Sequence, residues 1–407
     1  MVRELRPRTA AGDKAARLAE DASAALAERA YEHDRSATFP VDNLRDLATS
    51  GLLGACVPEE LGGLGVDTLH DLTVVVNRLG RADAGIAIAV HMQLAREWYF
   101  TRRWQREQDA AERDRLATAL RQMADGTAIT CGATSEAGTD HDHVMAEATP
   151  VEGGYLLNGR KIFVTMSAAA TDFYIRLRVL TPDGYMFASA HVPRSAPGLT
   201  VVPGWDALGM RTSGSNDVVL DDVFVPAEAL SPRGQWGVWN AATLQGRTVS
   251  NIGLQGAYLG CAEAARDMAV AQIGKKLRAG RSGPSGLVHA VGELDLKLAT
   301  ARATLQSALG VVDEALAGEA DAVPAPDGME MMVAFQCAKT AVTSTAIDVV
   351  NTAMTLVGGG TYLSSHPLSR IYRDVRAGPF MQPHAPLEAL DFIGNAALGL
   401  FSQGVDA

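Results

Sequence analysis

Cysteine is scarce in this sequence: Cys56, Cys131, Cys261 and Cys337 are scattered, and no two form a C-x-x-C pair. A disulfide framework or a thiolate zinc site needs paired spacing, so the four read as reduced core thiols of a cytoplasmic protein. Long apolar runs are also missing. No stretch reaches the roughly 20 residues that cross a bilayer, and Met1-Val2-Arg3-Glu4 opens no signal peptide. No membrane role is expected. Positive charge is in deficit, with 36 Lys and Arg against 47 Asp and Glu, a formal charge of -11. Such a surface repels nucleic-acid phosphates, so no nucleic-acid partner is expected. It still permits phosphate-bearing ligands, which a few arginines and local amides can hold. His141-Asp142-His143 has metal-ligand residue types, but no third ligand can be identified, and no metal is expected.

What is present is an ordinary globular balance, 47% hydrophobic and 20% charged over 407 residues, enough for two or three packed subdomains. From Asp13 to about Asp125 the apolar spacing is helical. Pro40, followed by Leu44, Leu47 and Ala48 and stopped by Gly51, predicts a short amphipathic helix. Ala84–Phe100 and Gln105–Asp125 read as two longer ones. From Thr127 to about Pro232 the period falls to two. Phe173, Ile175, Leu177 and Val179 alternate with Tyr174, Arg176 and Arg178, as in a half-exposed strand. Asn158-Gly159 predicts a tight hairpin between Tyr155-Leu156-Leu157 and Lys161-Ile162-Phe163-Val164, because that pair accepts two positive φ angles. Asp183-Gly184 predicts another between Val179 and Met186.

From Ala241 the helical period returns. Leu287, Val291, Leu294, Leu298, Ala301 and Leu305 fall on one helix face, and a second long helix is expected from about Met329 to Leu356. These stripes read as core, and Gly256 and Gly260, one turn apart, allow close helix contact. The expected fold is α+β: an N-terminal helical domain over 1–125, a middle antiparallel β-domain over 126–232 and a C-terminal four-helix bundle over 233–407.

Five ordered motifs carry a family resemblance. They are Val57-Pro58-Glu59-Glu60-Leu61-Gly62-Gly63-Leu64-Gly65; Cys131-Gly132-Ala133-Thr134-Ser135-Glu136-Ala137-Gly138-Thr139-Asp140 with Lys161-Ile162-Phe163-Val164-Thr165; Leu208-Gly209-Met210-Arg211; Asp221-Asp222-Val223-Phe224-Val225-Pro226; and Gly358-Gly359-Gly360 before Arg370-Ile371-Tyr372-Arg373-Asp374. Together they resemble the acyl-CoA dehydrogenases. The resemblance implies FAD as cofactor, with Thr134 and Thr139 near ring and phosphates, Phe163 against the isoalloxazine and Thr165 near its reactive nitrogen. It further implies that Gly358 and Gly359, with Thr355 at the family's glutamine position, serve the adenine half in a neighbouring subunit of a homodimer or homotetramer. The family's pyrophosphate arginine falls around Arg278 or Arg281.

The same resemblance exposes a departure. The family removes an α-proton with a Glu nine residues after the Arg of the R-D pair; counting from Arg373 reaches Gln382, and an amide accepts no proton. The family's alternative position, just before an Arg resembling Arg247, holds Gly246. Trp205-Asp206-Ala207-Leu208-Gly209-Met210-Arg211 also looks like the flavin-dependent monooxygenases that share this fold, although their usual His is Met381 here. His384 and His91 are the titratable replacements to weigh, Glu388 a third, and Arg247 would support charge in the site. The leading expectation is oxidation of an acyl thioester on CoA or acyl-carrier protein, with an electron-transfer flavoprotein as partner. One rival is a monooxygenase using FMN reduced by a flavin reductase; another is a catalytically silent binding protein.

Overall fold

The computed structural model describes residues 4–140, 142–279, 286–317 and 328–401. The N-terminal third is helical: α1 (Ala10–Ser36), α2 (Val41–Thr49), α3 (Leu69–Ala82), α4 (Ala84–Arg106) and α5 (Ala110–Ala124). α2 ends before Gly51, as its punctuation predicts. The two longer helices part because the Asp109 carboxylate accepts from the Glu112 amide at 2.8 Å, a new N-cap. Asp83 caps α4 through the Gly85 amide at 2.9 Å and also accepts from the Thr212 hydroxyl at 2.6 Å. That second bond ties the start of α4 to the sheet domain.

The middle of the chain forms β1 (Thr130–Ala133), β2 (Glu147–Val151), β3 (Gly154–Val164), β4 (Asp172–Thr181), β5 (Gly184–Pro193), β6 (Leu199–Val202), β7 (Asn216–Pro226) and β8 (Leu230–Gln235). The sheet runs β6-β7-β3-β2-β4-β5-β8, with β1 beside β4. It is not wholly antiparallel: β1 and β2 both pair with β4 in parallel. The long β2–β3 excursion returns the chain to start β4 at the edge where β1 began, with Thr130 opposite Asp172.

One expected hairpin is absent. β3 continues through Asn158-Gly159, and the chain reverses instead at Gly153, whose φ is +79°. Glu147 pairs with Asn158, so that residue sits inside a ladder, and the register against β7 slips there as a bulge. Glycine is required for another reason: a Cβ on Gly159 would lie 2.5 Å from that of Ala146. The Asp183-Gly184 turn joins β4 to β5 as expected.

Helices α6 (Ala241–Asn251), α7 (Gln255–Arg278), α8 (Leu287–Ala317), α9 (Gly328–Val357), α10 (Pro367–Asp374) and α11 (Pro386–Ala397) complete the described chain. Leu294, Leu298, Ala301 and Leu305 bury the stripe of α8. Gly256 and Gly260 press α7 onto α3, where Cβ atoms would lie 2.4 Å from the Thr73 and Asn77 carbonyls. Buried Glu263 then pairs with Arg302 at 2.7 Å and Arg81 at 3.2 Å, joining the first and last thirds of the chain. Cys56, Cys131 and Cys261 are buried, but Cys337 is exposed on α9, correcting its reading as a core thiol. Among the described residues, no helix is long and apolar enough to cross a membrane.

Candidate functional site

A cavity of about 1050 Å³ lies where the sheet domain meets α4, α6 and the segment after α10. Its sheet wall is built by the end of β3. Phe163 has φ +55°, a left-handed conformation that strands rarely adopt and that active sites often hold under strain. The ring lines the cavity 61% exposed and meets Trp205 edge-on at 5.9 Å. Beyond it, Thr165 shares a hydrogen bond with Ser215 at 3.0 Å, and Ser215 with Ser213 at 2.6 Å, a chain of hydroxyls along the same wall. Thr134 and Ser135 leave β1 into the cavity, anchored from beneath by Glu136, which takes the buried Lys161 ammonium at 2.5 Å.

The opposite wall comes from the C-terminal helices. The Met210 amide donates to Asp374 at 2.7 Å, so the Gly-Met-Arg segment rests on the Arg-Asp pair of α10. Burial raises the Asp374 carboxyl to about 6. Lys339, buried on α9, donates to the carbonyls of Met381 and His384 and so fixes the loop between them. That loop points Gln382 into the cavity, where its amide donates to the Ser135 hydroxyl. Arg247 lines the cavity from α6, its guanidinium paired with Asp142.

Thr134, Phe163, Thr165, Arg247 and Gln382 therefore converge. The other expected residues lie elsewhere. Thr139 is not among the lining residues, and its hydroxyl is buried without a hydrogen-bond partner. His91 is fully buried, both ring nitrogens are unpartnered, and a Cβ on Gly253 would touch its ring at 2.7 Å. Burial lowers its pKa to about 3, the state of a neutral core imidazole, and it does not line the cavity. His384 stacks on Phe392 at 5.0 Å, with its Nε2 buried and its pKa lowered by burial and by Arg247. Glu388 is used as a cap, accepting from the Ala385 amide at 2.8 Å. Thr355, Gly358 and Gly359 stand at the end of α9, outside the lining set, and the Thr355 hydroxyl donates back to the Asn351 carbonyl at 3.1 Å. Arg281 and His141 lie outside the described residues. Among the described residues no cluster of three or more His, Cys, Asp or Glu could hold a metal.

The placement of His384 makes a direct expectation. His384→Asn should change the turnover rate less than about tenfold, whereas loss of a proton-transferring group costs roughly 10²–10⁴-fold. Steady-state rates across pH check this, and an acid limb that vanishes in the variant would restore His384 as the base.

Sequence reading missed three features of the site. Ser135, Ser213 and Ser215 have no periodic signal. Asp142 sits in a segment read only for metal. Arg176 was read on the open face of β4, yet it lines the cavity with Tyr174. A period of two marks the face turned to the sheet's core and is silent on what covers the other.

The residues present fit a flavin. Phe163 and Trp205 supply a flat wall, and the Thr165–Ser215–Ser213 hydroxyls an edge to bond. The acyl-CoA dehydrogenase N-terminal, middle and C-terminal domain models match residues 10–111, 131–223 and 252–385. The chain is 40% identical to the amino sugar nitrososynthase DnmZ of Streptomyces peucetius, over 97% of this chain and 95% of that protein. KijD3, solved in complex with FMN and dTDP-3-amino-2,3,6-trideoxy-4-keto-3-methyl-D-glucose, is 40% identical with a TM-score of 0.90, covering 97% of this chain and 95% of that one. Butyryl-CoA dehydrogenase from Megasphaera elsdenii is 25% identical with a TM-score of 0.77, covering 97% and 99%. This chain belongs to the acyl-CoA dehydrogenase family of flavoenzymes.

Proposed function

We propose that this protein oxidises the amino group of a nucleotide-linked amino sugar to a nitroso group, using FMN reduced by a separate flavin reductase, together with dioxygen. The observation that carries this reading is Gln382, a carboxamide bonded to Ser135 at the position where thioester oxidation needs a carboxylate. Similarity to nitrososynthases across nearly the whole chain supports it and favours it over an acyl-thioester substrate, the leading expectation from sequence. Bound reduced flavin would supply two electrons per dioxygen, so that one oxygen atom reaches the substrate nitrogen and the other leaves as water. The first round gives a hydroxylamine and one water; the second gives the nitroso group and two waters, each round consuming two protons.

The chain's own residues do the rest. Phe163 and Trp205 hold the ring plane, while Gln382 and Ser135 present a neutral amide–hydroxyl pair to the reacting end. Neutrality matters because only the unprotonated amine has a lone pair to attack oxygen. A carboxylate at 382 would favour the ammonium form and raise its pKa by about 1–3 units at close range. Gln382→Glu is therefore expected to move the acid limb of N-oxidation upward by about one pH unit, without conferring anaerobic flavin bleaching by simple acyl thioesters. Mass spectrometry of a dTDP-linked 3-amino sugar incubated with FMN, flavin reductase and oxygen tests the reaction itself. A product with two hydrogens replaced by one oxygen is expected; anaerobic bleaching by a thioester in the unmodified protein would instead return the dehydrogenase reading.

A second copy of the chain belongs to this proposal. Tyr362 is 89% exposed beside Gly358 and Gly359, with Leu363 also open to solvent. Covering that apolar face in a homodimer or homotetramer would bring the glycine turn toward a neighbouring cavity. Light scattering on the purified protein should give a multiple of the 42.9 kDa chain mass.

A further inference from the structure

Several guanidinium groups in the cavity have no carboxylate to answer them. Arg96 on α4, Arg176 on β4 and Arg233 on β8 all line it, and none forms an ion pair with a carboxylate among the described residues. Their contacts are aromatic or neutral. Arg96 lies 4.1 Å over the Tyr174 ring, Arg176 lies 5.3 Å from the centre of Phe187, and Arg233 donates to the Tyr99 hydroxyl at 2.7 Å. Of the other lining arginines, Arg247 pairs with Asp142, Arg103 with Glu112 and Arg373 with Asp34, whereas Arg102 lies over the Trp98 ring at 5.0 Å and Arg376 forms no ion pair among the described residues. Burial, with Arg247, Arg96 and Arg233 nearby, pushes Arg176 down to about 10, so the three cations repel one another. In a chain of net charge -11, half-buried Arg96 and Arg176 with exposed Arg233 concentrate positive potential in one cavity, a field that an anion would offset.

We propose that Arg96, Arg176 and Arg233 form the seat for the diphosphate of a nucleoside-diphosphate-linked substrate, resting on the amino-sugar reading above. The planar guanidinium forks from three different elements suit two adjacent phosphates, and the rings of Tyr174, Phe187 and Tyr99 keep them oriented without neutralising them. The same chemistry could serve the flavin phosphate, and the experiment separates the two sources.

Titration calorimetry on the full chain with dTDP, thymidine and FMN reads the difference. Arg176→Gln and Arg233→Gln should each weaken dTDP binding about tenfold or more, since a lost charge-assisted hydrogen bond is worth about one such factor. Binding of FMN should stay unchanged, and added salt should weaken dTDP binding and leave thymidine untouched. Because each substitution removes a repulsion, Tm should hold or rise, which separates a weakened site from a misfolded one. Unchanged dTDP affinity in both variants would overturn the proposal, as would loss of FMN binding in place of dTDP binding, or no dTDP binding by the unmodified protein. If dTDP binds through the three arginines while no amino sugar is oxidised, the seat stands and the reaction reading falls.

Discussion

Glu136→Ala is expected to lower stability by about 3–5 kcal/mol, the cost of stranding one member of a buried ion pair. Lys161 has no exposed surface, and without Glu136 its ammonium keeps only the Thr134 carbonyl at 3.4 Å. The same carboxylate also accepts from the amides of Met145 at 2.6 Å and Ala146 at 2.9 Å, which would be left unmet. Burial already lowers Lys161 to about 8, with Glu136 opposing the shift. In the variant the folded-state value falls further, while the unfolded chain holds its proton to roughly pH 10.4. Between those values the unfolded state binds more protons, so the variant gains stability as pH rises. The unmodified protein does not begin to gain from this lysine until about pH 8. Urea melts from pH 6 to 8 should therefore show the gap narrowing, and a gap constant over that range would rule out a stranded ammonium. Thr134 and Ser135 precede Glu136 directly, so flavin affinity should fall as well.

How much of this was legible in the sequence depends on what each signal measures. Order along the chain was: helices, sheet and helices follow from periods of 3.6 and 2, and the buried stripe of α8 falls where the spacing puts it. Local turn chemistry was less decisive. Asp183-Gly184 turns the chain, but Asn158-Gly159 does not, because pairing of Glu147 with Asn158 and the Ala146 contact outweigh a two-residue preference. Thr134, Phe163, Thr165, Arg247 and Gln382 were named through the family resemblance, and the fold brings those five to one cavity. The histidines were chosen by chemistry alone. Titratable type says nothing of direction, and both His91 and His384 turn into packing. The unpaired arginines could not be seen at all, because an ion pair's absence is a fact of three dimensions.

Gly209→Ala is expected to be the most damaging small change to the cavity itself, by about 3 kcal/mol, the upper end for overpacking. A Cβ there would lie 2.3 Å from the Arg373 carbonyl oxygen and 2.7 Å from the Asp374 nitrogen. Both obstacles are backbone, so no rotamer change relieves the overlap. The segment must lift off α10, breaking the bond from the Met210 amide to Asp374 and displacing Leu208 and Met210 from the cavity wall. Gly246 is the internal control. It lines the same cavity from the interior of α6, and a Cβ there meets nothing within 4 Å. Gly246→Ala should therefore be neutral or stabilise by up to about 1 kcal/mol, as glycine in a helix costs that much relative to alanine. Melting temperature and flavin titration on the two variants separate the causes. If Gly209→Ala melts with the unmodified protein and binds flavin as well, the Gly-Met-Arg segment is not clamped by α10, and the cavity owes its shape to something other than that contact.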